Sequence, residues 1–377
     1  MFNNLKIKNM LKKAEYFFDN STYDKSLFYC NKILILDSKN IRALYIKSEI
    51  LYIKSQYSSS LEILDGILNI CNEYDQALLL KGRIYLELDR FDEGFKFYEK
   101  FLKNNSDFSL FFNEISYFSF FEDKSKKNAA LDLCNLYLEK YDSYEIKVWK
   151  SQLLFRLNLF EDALFTLENL INYKGDDEYL YLIKCNVLLK LGKYYEVLDF
   201  SEKSFKLYNN YGFLYDNAEA LFSLEEYGSS IEICKKILNS QNKIYHNCAK
   251  FLMAKIYFAK ENYEKSLIEI NNAILLLRSI VGEDYPLNEY VNSFNQYYFF
   301  KSEILLELNE LNDASKIIDC LLEKDESAKN YCLKSMILFE MDDYENALMF
   351  VNKALDLKPD CKQAIELKEK IKNLNKS

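Results

Sequence analysis

The sequence predicts an all-α protein, an α-solenoid of about ten stacked helix-turn-helix repeats, and three observations carry that expectation. Eight Gly and two Pro in 377 residues are too few breakers for a loop-rich or all-β chain. A residue that opens a helix recurs at Tyr23, Tyr57, Phe91, Lys127, Phe160, Tyr194, Tyr227, Tyr263, Leu311 and Tyr344, with spacings of 34, 34, 36, 33, 34, 33, 36, 48 and 33. Small residues flank these anchors at fixed offsets. Nine positions before them stand Ala14, Ser48, Gly82, Phe118, Ser151, Cys185, Ala218, Ala254, Ser302 and Ser335. Three positions after them stand Ser26, Ser60, Gly94, Ala130, Ala163, Val197, Ser230, Ser266, Ala314 and Ala347. Small residues at both places let two antiparallel helices pack at short distance.

The register places repeats at about 7–40, 41–74, 75–108, 109–143, 144–177, 178–210, 211–246, 247–285, 286–327 and 328–360, as one solenoid over 1–377. In the first, second, fifth and tenth, the pairs Leu27/Leu34, Leu61/Leu68, Leu164/Ile171 and Leu348/Leu355 form the i, i+7 buried stripe of the second helix. The fourth is irregular. Phe118 replaces the small residue, Lys127 replaces the apolar anchor, and Phe108, Phe111, Phe112, Tyr117, Phe120 and Phe121 crowd the first helix. That composition fits a densely packed junction or an aromatic docking patch. The sixth carries Ser201 and Ser204 where other repeats have aliphatics, which predicts a local dip in stability. Between Tyr263 and Leu311, about 14 extra residues around RSIVGEDYPLNEYVNSF (278–294) are expected to lengthen two helices about a Gly282–Pro286 turn.

The tenth repeat shows the pattern most fully. Tyr344 starts its second helix after a turn at Asp342-Asp343, and Glu345, three residues after Asp342, gives a capping-box spacing. Pro359 closes the repeat because it cannot donate into a continuing helix. After it, 361–377 reads as a polar capping helix with one apolar stripe, Ala364, Leu367, Ile371 and Leu374.

With Tyr331, Ser335, Leu338, Ala347, Val351 and Pro359 at their places, this repeat resembles the tetratricopeptide repeat, and the resemblance extends in register over about nine-tenths of the chain. Two departures stand out. Pro closes only the last repeat, and the large apolar residue before the small site is Lys in seven: Lys13, Lys47, Lys81, Lys150, Lys184, Lys301 and Lys334. The resemblance implies a right-handed superhelix whose concave inner wall binds partner proteins. Its best-known ligand device, a clamp of Lys, Asn and Arg for chaperone tails, is not matched, since the first repeat offers Leu11 and Glu15 there.

Most catalytic chemistry is excluded. The one histidine, His246, is expected in a solvated turn, and no phosphate-binding glycine loop or nucleophile elbow occurs. Cys30, Cys134 and Cys234 fall on buried stripes as core fillers, and nine scattered cysteines without C-x-x-C fit reduced thiols in a cytoplasmic protein. The net charge of −9 without a basic stripe argues against nucleic acid. No 18-residue apolar run is present to span a membrane, and the N-terminus has no unbroken apolar core of a secretory signal. No enzyme, cofactor, metal or small-molecule substrate is expected.

What remains is recognition by a surface. Eight positions before each anchor runs a mostly polar row: Glu15, Glu49, Arg83, Ser119, Gln152, Asn186, Glu219, Lys255 and Glu303. Beside it, eleven before the anchor, runs an apolar row: Ile46, Leu80, Trp149, Ile183, Leu252, Phe300 and Leu333. The pair of rows reads as a peptide groove with apolar floor and polar rim, represented by Ile46, Glu49, Leu80, Arg83, Trp149, Gln152, Ile183, Asn186 and Glu219. The apolar row can equally pack between successive first helices. The lysines are expected to cover apolar surface with their stems while the ammonium reaches water. Two functions follow: a non-enzymatic scaffold that binds protein or peptide partners, or a self-associating structural subunit of an assembly, with the groove, the outer face or the 278–294 insert as contact.

Overall fold

The computed structural model describes residues 2–104, 108–175, 177–281 and 291–374. Among them are twenty-one α-helices and no strand. The chain separates into two compact units, Met1–Val187 and Leu188–Ser377. In the first, α1 (Phe2–Asp19) pairs with α2 (Tyr23–Leu36), α3 (Ile41–Ile53) with α4 (Tyr57–Ile70), and α5 (Asp75–Glu87) with α6 (Phe91–Asn104). Next come the pairs α7 (Phe108–Ser119) with α8 (Lys124–Leu138) and α9 (Tyr144–Arg156) with α10 (Phe160–Tyr173). The division between the units falls inside α11 (Glu178–Lys190).

The second unit continues with α12 (Tyr194–Tyr208), α13 (Tyr211–Ser223), α14 (Tyr227–Leu238), α15 (His246–Ala259) and α16 (Tyr263–Val281). It ends with α17 (Val291–Glu307), α18 (Leu311–Leu322), α19 (Ala328–Glu340), α20 (Tyr344–Leu357) and α21 (Lys362–Leu374). Within each unit, most helices pack on their neighbours in chain order, and first helices also stand beside the next first helix, as α1, α3, α5 and α7 do. Stacking of this kind, in which each pair completes the interior of the next, is an α-solenoid.

The turn inside each pair has a common cause. Nine of the ten second helices begin on the predicted anchor. Two residues earlier the backbone turns left-handed, at Ser21, Ser55, Asp89, Asn158, Gly192, Glu225, Glu261, Asn309 and Asp342. The next N–H then reaches back five residues, as Thr22 to the Phe17 carbonyl (2.8 Å) and Asp343 to that of Leu338 (2.9 Å). This closure satisfies carbonyls that a helix end leaves open. It also corrects the capping expected in the tenth repeat. Asp342 occupies the left-handed position, so the cap is Asp343, whose carboxylate accepts the Asn346 N–H at 3.2 Å.

The small residues bring the two helices close enough to bond. Ser26 donates its hydroxyl to the Ala14 carbonyl (2.8 Å), Ser60 to Ser48, Ser230 to Ala218 and Ser266 to Ala254. In the last pair the direction reverses, Ser335 donating to Ala347. Gly82 has a further reason to lack a side chain: a Cβ there would lie 2.6 Å from the buried ring of Tyr98.

The fourth pair departs from the others in register. Its second helix starts at Lys124, three residues ahead of Lys127, behind an Asp123 cap that accepts the Ser125 N–H. Phe111 and Phe118 are fully buried, Phe108, Phe112, Tyr117 and Phe121 pack against the same core, and Phe120 stays exposed. The junction is therefore packed. In the sixth repeat, the buried serines are satisfied: Asn217 donates to the Ser201 hydroxyl (3.0 Å) and Ser204 to the Phe200 carbonyl (2.7 Å).

Other expectations need correcting. His246 is not in a solvated turn; it begins α15 and is buried, with no hydrogen-bond partner for Nε2 among the described residues. Four lysines of the row bond across the seam between repeats, and two of them, Lys81 and Lys334, are buried there instead of reaching water. Lys47 meets Asn31 (3.1 Å), Lys184 meets Glu168 (2.9 Å), Lys334 meets Asp319 (2.7 Å), and Lys81 meets Asp65. The helices flanking the insert are long, 19 residues in α16 and 17 in α17, while the Gly282–Pro286 turn lies outside the described residues.

Candidate functional site

Four first helices of the first unit line one cavity of about 560 Å³. The lining obeys helical geometry. From α3 come Arg42, Tyr45, Ile46 and Glu49, and from α5 come Gln76, Leu79, Leu80 and Arg83. Both sets stand fifteen, twelve, eleven and eight residues before their anchors, an i, i+3, i+4, i+7 face. Glu15, Phe18 and Asp19 of α1 flank this face on one side, and Leu110, Asn113 and Glu114 of α7 on the other. Four predicted groove residues, Ile46, Glu49, Leu80 and Arg83, thus come together. Ile46 and Leu80 are buried, so they form the floor while also packing in the core.

The charges are unevenly matched. Arg83 is held by both oxygens of Glu114, with Nε at 2.9 Å, and its guanidinium lies 4.9 Å from the centre of the Tyr117 ring. Glu114 is almost wholly buried and also accepts the Tyr98 hydroxyl at 2.9 Å. Arg42 donates to Glu15 at 2.8 Å. Glu49 receives only the Tyr45 hydroxyl, at 3.0 Å, and no cation forms an ion pair with it among the described residues. Burial raises its carboxyl above the usual range, a shift that the Tyr45 bond and then Arg42 and Arg83 only moderate. Four carboxylates against two guanidiniums leave the lining with a net charge of −2.

Glu87, on the same helix as Arg83, is a polar anchor of the surrounding wall. It accepts the hydroxyls of Tyr52, Tyr57 (2.8 Å) and Tyr117, and burial together with that bond pushes Tyr117 up to about 12. Lys126, buried on α8, donates to the Leu86 and Glu87 carbonyls at 2.6 and 3.1 Å. It thereby closes the C-terminal end of α5, where a cation is favoured, and ties the fourth pair to the helix that carries Arg83.

The other predicted groove residues lie elsewhere. Trp149 on α9 is half-buried, edge-on to Phe112 with centroids 5.1 Å apart, and its buried Nε1 has no partner among the described residues. Gln152 and Ile183 are half-buried, and Asn186 is exposed, with its amide on the Leu182 carbonyl. None of these four lines the cavity. Glu219 belongs to the second unit, where it accepts the Tyr215 hydroxyl at 2.8 Å and lies 3.9 Å from Lys255. Burial lowers the Lys255 pKa, with Glu219 opposing.

Sequence reasoning missed Arg42 and Gln76 although they were legible, two turns before Glu49 and Arg83 on the same face. It missed Glu114 because the irregular fourth repeat hides its register. The cysteine stripes behave as fillers: burial pushes Cys30 up to about 11 and Cys134 and Cys234 up to about 12, so their thiols stay protonated. Among the described residues, no group of three or more His, Cys, Asp and Glu is placed to hold a metal ion, and no helix is long and apolar enough to cross a membrane.

Two family models match parts of the chain: "Anaphase-promoting complex, cyclosome, subunit 3" over residues 19–101 and "Tetratricopeptide repeat" over residues 328–361. A "TPR repeat-containing protein MJ1428" of Methanocaldococcus jannaschii is 24% identical over 361 residues, covering 89% of this chain and 61% of the relative. The chain thus spans about three-fifths of that relative's length. Among solved structures, a tetratricopeptide repeat protein from Parabacteroides merdae superposes with a TM-score of 0.50 at 15% identity, over 70% of this chain and 99% of that one, which supports the fold. With the recurring helix pairs and their common turn, these matches support a likeness to tetratricopeptide repeat proteins.

Proposed function

We propose that this protein is a non-enzymatic, cytoplasmic scaffold that holds a peptide segment of a partner protein against the first helices of its repeats. One observation carries the reading: the 560 Å³ cavity is lined by successive first helices α1, α3, α5 and α7, with an apolar floor and polar side chains above it. The depth and mixed lining suit a side chain of an extended or helical segment. The family fold is generally a non-catalytic scaffold, which accords with this use. Trp149, Gln152, Ile183 and Asn186 extend the proposed surface along further first helices of the first unit, and Glu219 marks the equivalent face within the second.

The experiment is pull-down from cells of origin with the parent chain and with Asn113→Trp, which fills the cavity from an exposed position on α7. Loss of a specific partner with an unchanged thermal melt supports the groove, whereas retention of every partner removes it. A second reading, a permanent subunit of a multiprotein assembly, is favoured by the match over residues 19–101 to a model named for a subunit of a large complex. Light scattering over a range of concentrations separates self-association from a monomer that binds other chains.

A further inference from the structure

The cavity has a charge that its own cations do not balance. Arg42 and Arg83 spend their guanidiniums on Glu15 and Glu114, and Glu49 is left with one phenolic donor. Asp19, exposed at the end of α1, adds a second carboxylate at the rim. A half-buried carboxylate beside an open cavity holds its charge at a desolvation cost that an incoming cation would offset.

Building on the groove reading above, we propose that this cavity takes a basic side chain, lysine or arginine, from a partner peptide, with Glu49 as its counter-charge and Ile46, Leu79, Leu80 and Leu110 against its aliphatic stem. The geometry distinguishes this from an acidic ligand. Both guanidiniums that could meet a carboxylate are already engaged, and that of Arg83 is held by both oxygens of a buried partner. A cationic side chain also matches the mixed lining, since lysine and arginine carry apolar stems under a charged head. Tyr45 fixes Glu49 from one side through its hydroxyl, so the carboxylate is oriented before the ligand arrives.

The test uses the full chain and three fluorescein-labelled heptapeptides that share one leucine frame and differ only in carrying arginine, glutamine or glutamate at two positions. Binding is read by anisotropy. The expected result is that the arginine peptide binds about ten-fold or more tighter than the glutamate peptide, and that the gap narrows as salt rises. Glu49→Gln keeps an acceptor for Tyr45, so its thermal melt should be no lower than the parent's while most of the preference disappears. Asn113→Trp should weaken all three peptides. Equal binding of arginine and glutamate peptides, or an undiminished preference in Glu49→Gln, overturns the proposal. If the glutamine peptide binds as well as the arginine peptide and Asn113→Trp abolishes both, the groove stands and only the basic preference falls. If no peptide binds, both readings fall together.

Discussion

The same helical face recurs in the two units with a different outcome. On α3 and α5 it carries Arg42, Tyr45, Ile46, Glu49 and Gln76, Leu79, Leu80, Arg83. At the same offsets α13 and α15 carry Gly212, Tyr215, Asp216, Glu219 and Cys248, Phe251, Leu252, Lys255. In both, a tyrosine hydroxyl bonds the glutamate four residues on, at 3.0 and 2.8 Å. In both, the next first helix supplies a cation at the position eight before its anchor. Lys255 comes within 3.9 Å of Glu219, but Arg83 turns away from Glu49 to Glu114. The third helix decides the difference. α7 offers a buried carboxylate, whereas α17 offers Tyr297, stacked on Phe251 with centroids 4.3 Å apart. A glutamate's freedom to meet a ligand is thus set by a residue one repeat beyond the cation that could have neutralised it.

The largest expected effect comes from removing that third-helix residue. Glu114→Ala strands a half-buried guanidinium and the Tyr98 hydroxyl, and breaking a buried pair from one side costs about 3 kcal/mol or more. Glu219→Ala removes a looser ion pair with Lys255 and the acceptor of the Tyr215 hydroxyl, and should cost less, about 1–2 kcal/mol. Urea unfolding of both variants measures the contrast, and equal losses would break it. Glu114→Ala also sharpens the comparison in a second way: a released Arg83 can turn toward Glu49, so the variant should lose preference for a basic peptide.

Next in size is a substitution that copies one unit into the other. Nine residues before the anchor, α5 has Gly82 and α13 has Ala218. Gly82→Ala would normally favour a helix, but the new Cβ falls 2.6 Å from Tyr98, the residue that bonds Glu114. Overpacking of this kind costs about 1–3 kcal/mol. Gly66→Ala on α4, where nothing lies within 4 Å, should instead stabilise by up to about 1 kcal/mol. Thermal melts that move in the same direction for both would show that Tyr98 yields without cost.

Much of this architecture was legible because a repeat prints its packing rule many times. The small residues at two offsets announced the close helix pairs, and nine anchors opened their helices where expected. The left-handed turn was less visible, since Ser, Asp, Asn, Gly and Glu all occupy it. These types tolerate or favour a turn without specifying one. The fourth repeat escaped because its aromatics satisfy a core through volume, not through period, and a residue such as Glu114 has no recurring counterpart. Part of the lysine row, Lys81 and Lys334 above all, was misjudged for a related reason. Its acceptors, such as Asp65 and Asp319, sit on the preceding helix, and a single helical wheel does not show them. The cavity was half legible: Glu49 and Arg83 lay on the polar row, but the diversion of Arg83 depends on three-dimensional neighbours.

The smallest effect concerns a carboxylate at the same offset in the second unit. Glu303, eight residues before Leu311 on α17, is raised by burial, with Glu307 adding to it, to about 7. The folded state therefore keeps a proton that the unfolded chain, near the ordinary value of 4.5, gives up. That contribution to stability is complete below about pH 4.5 and is lost as the pH rises through 7. Glu303→Gln removes the titration, so the variant should resemble the parent at pH 5, exceed it at pH 8, and show a flatter change of urea midpoint between them. Glu49, also raised by burial but drawn down by Arg42 and Arg83, should give a weaker version of the same change when replaced by glutamine. A Glu303→Gln variant that is less stable than the parent at pH 8 would mean that Glu303 has found a cation. The comparison would then reverse, with the uncompensated carboxylate confined to the first unit.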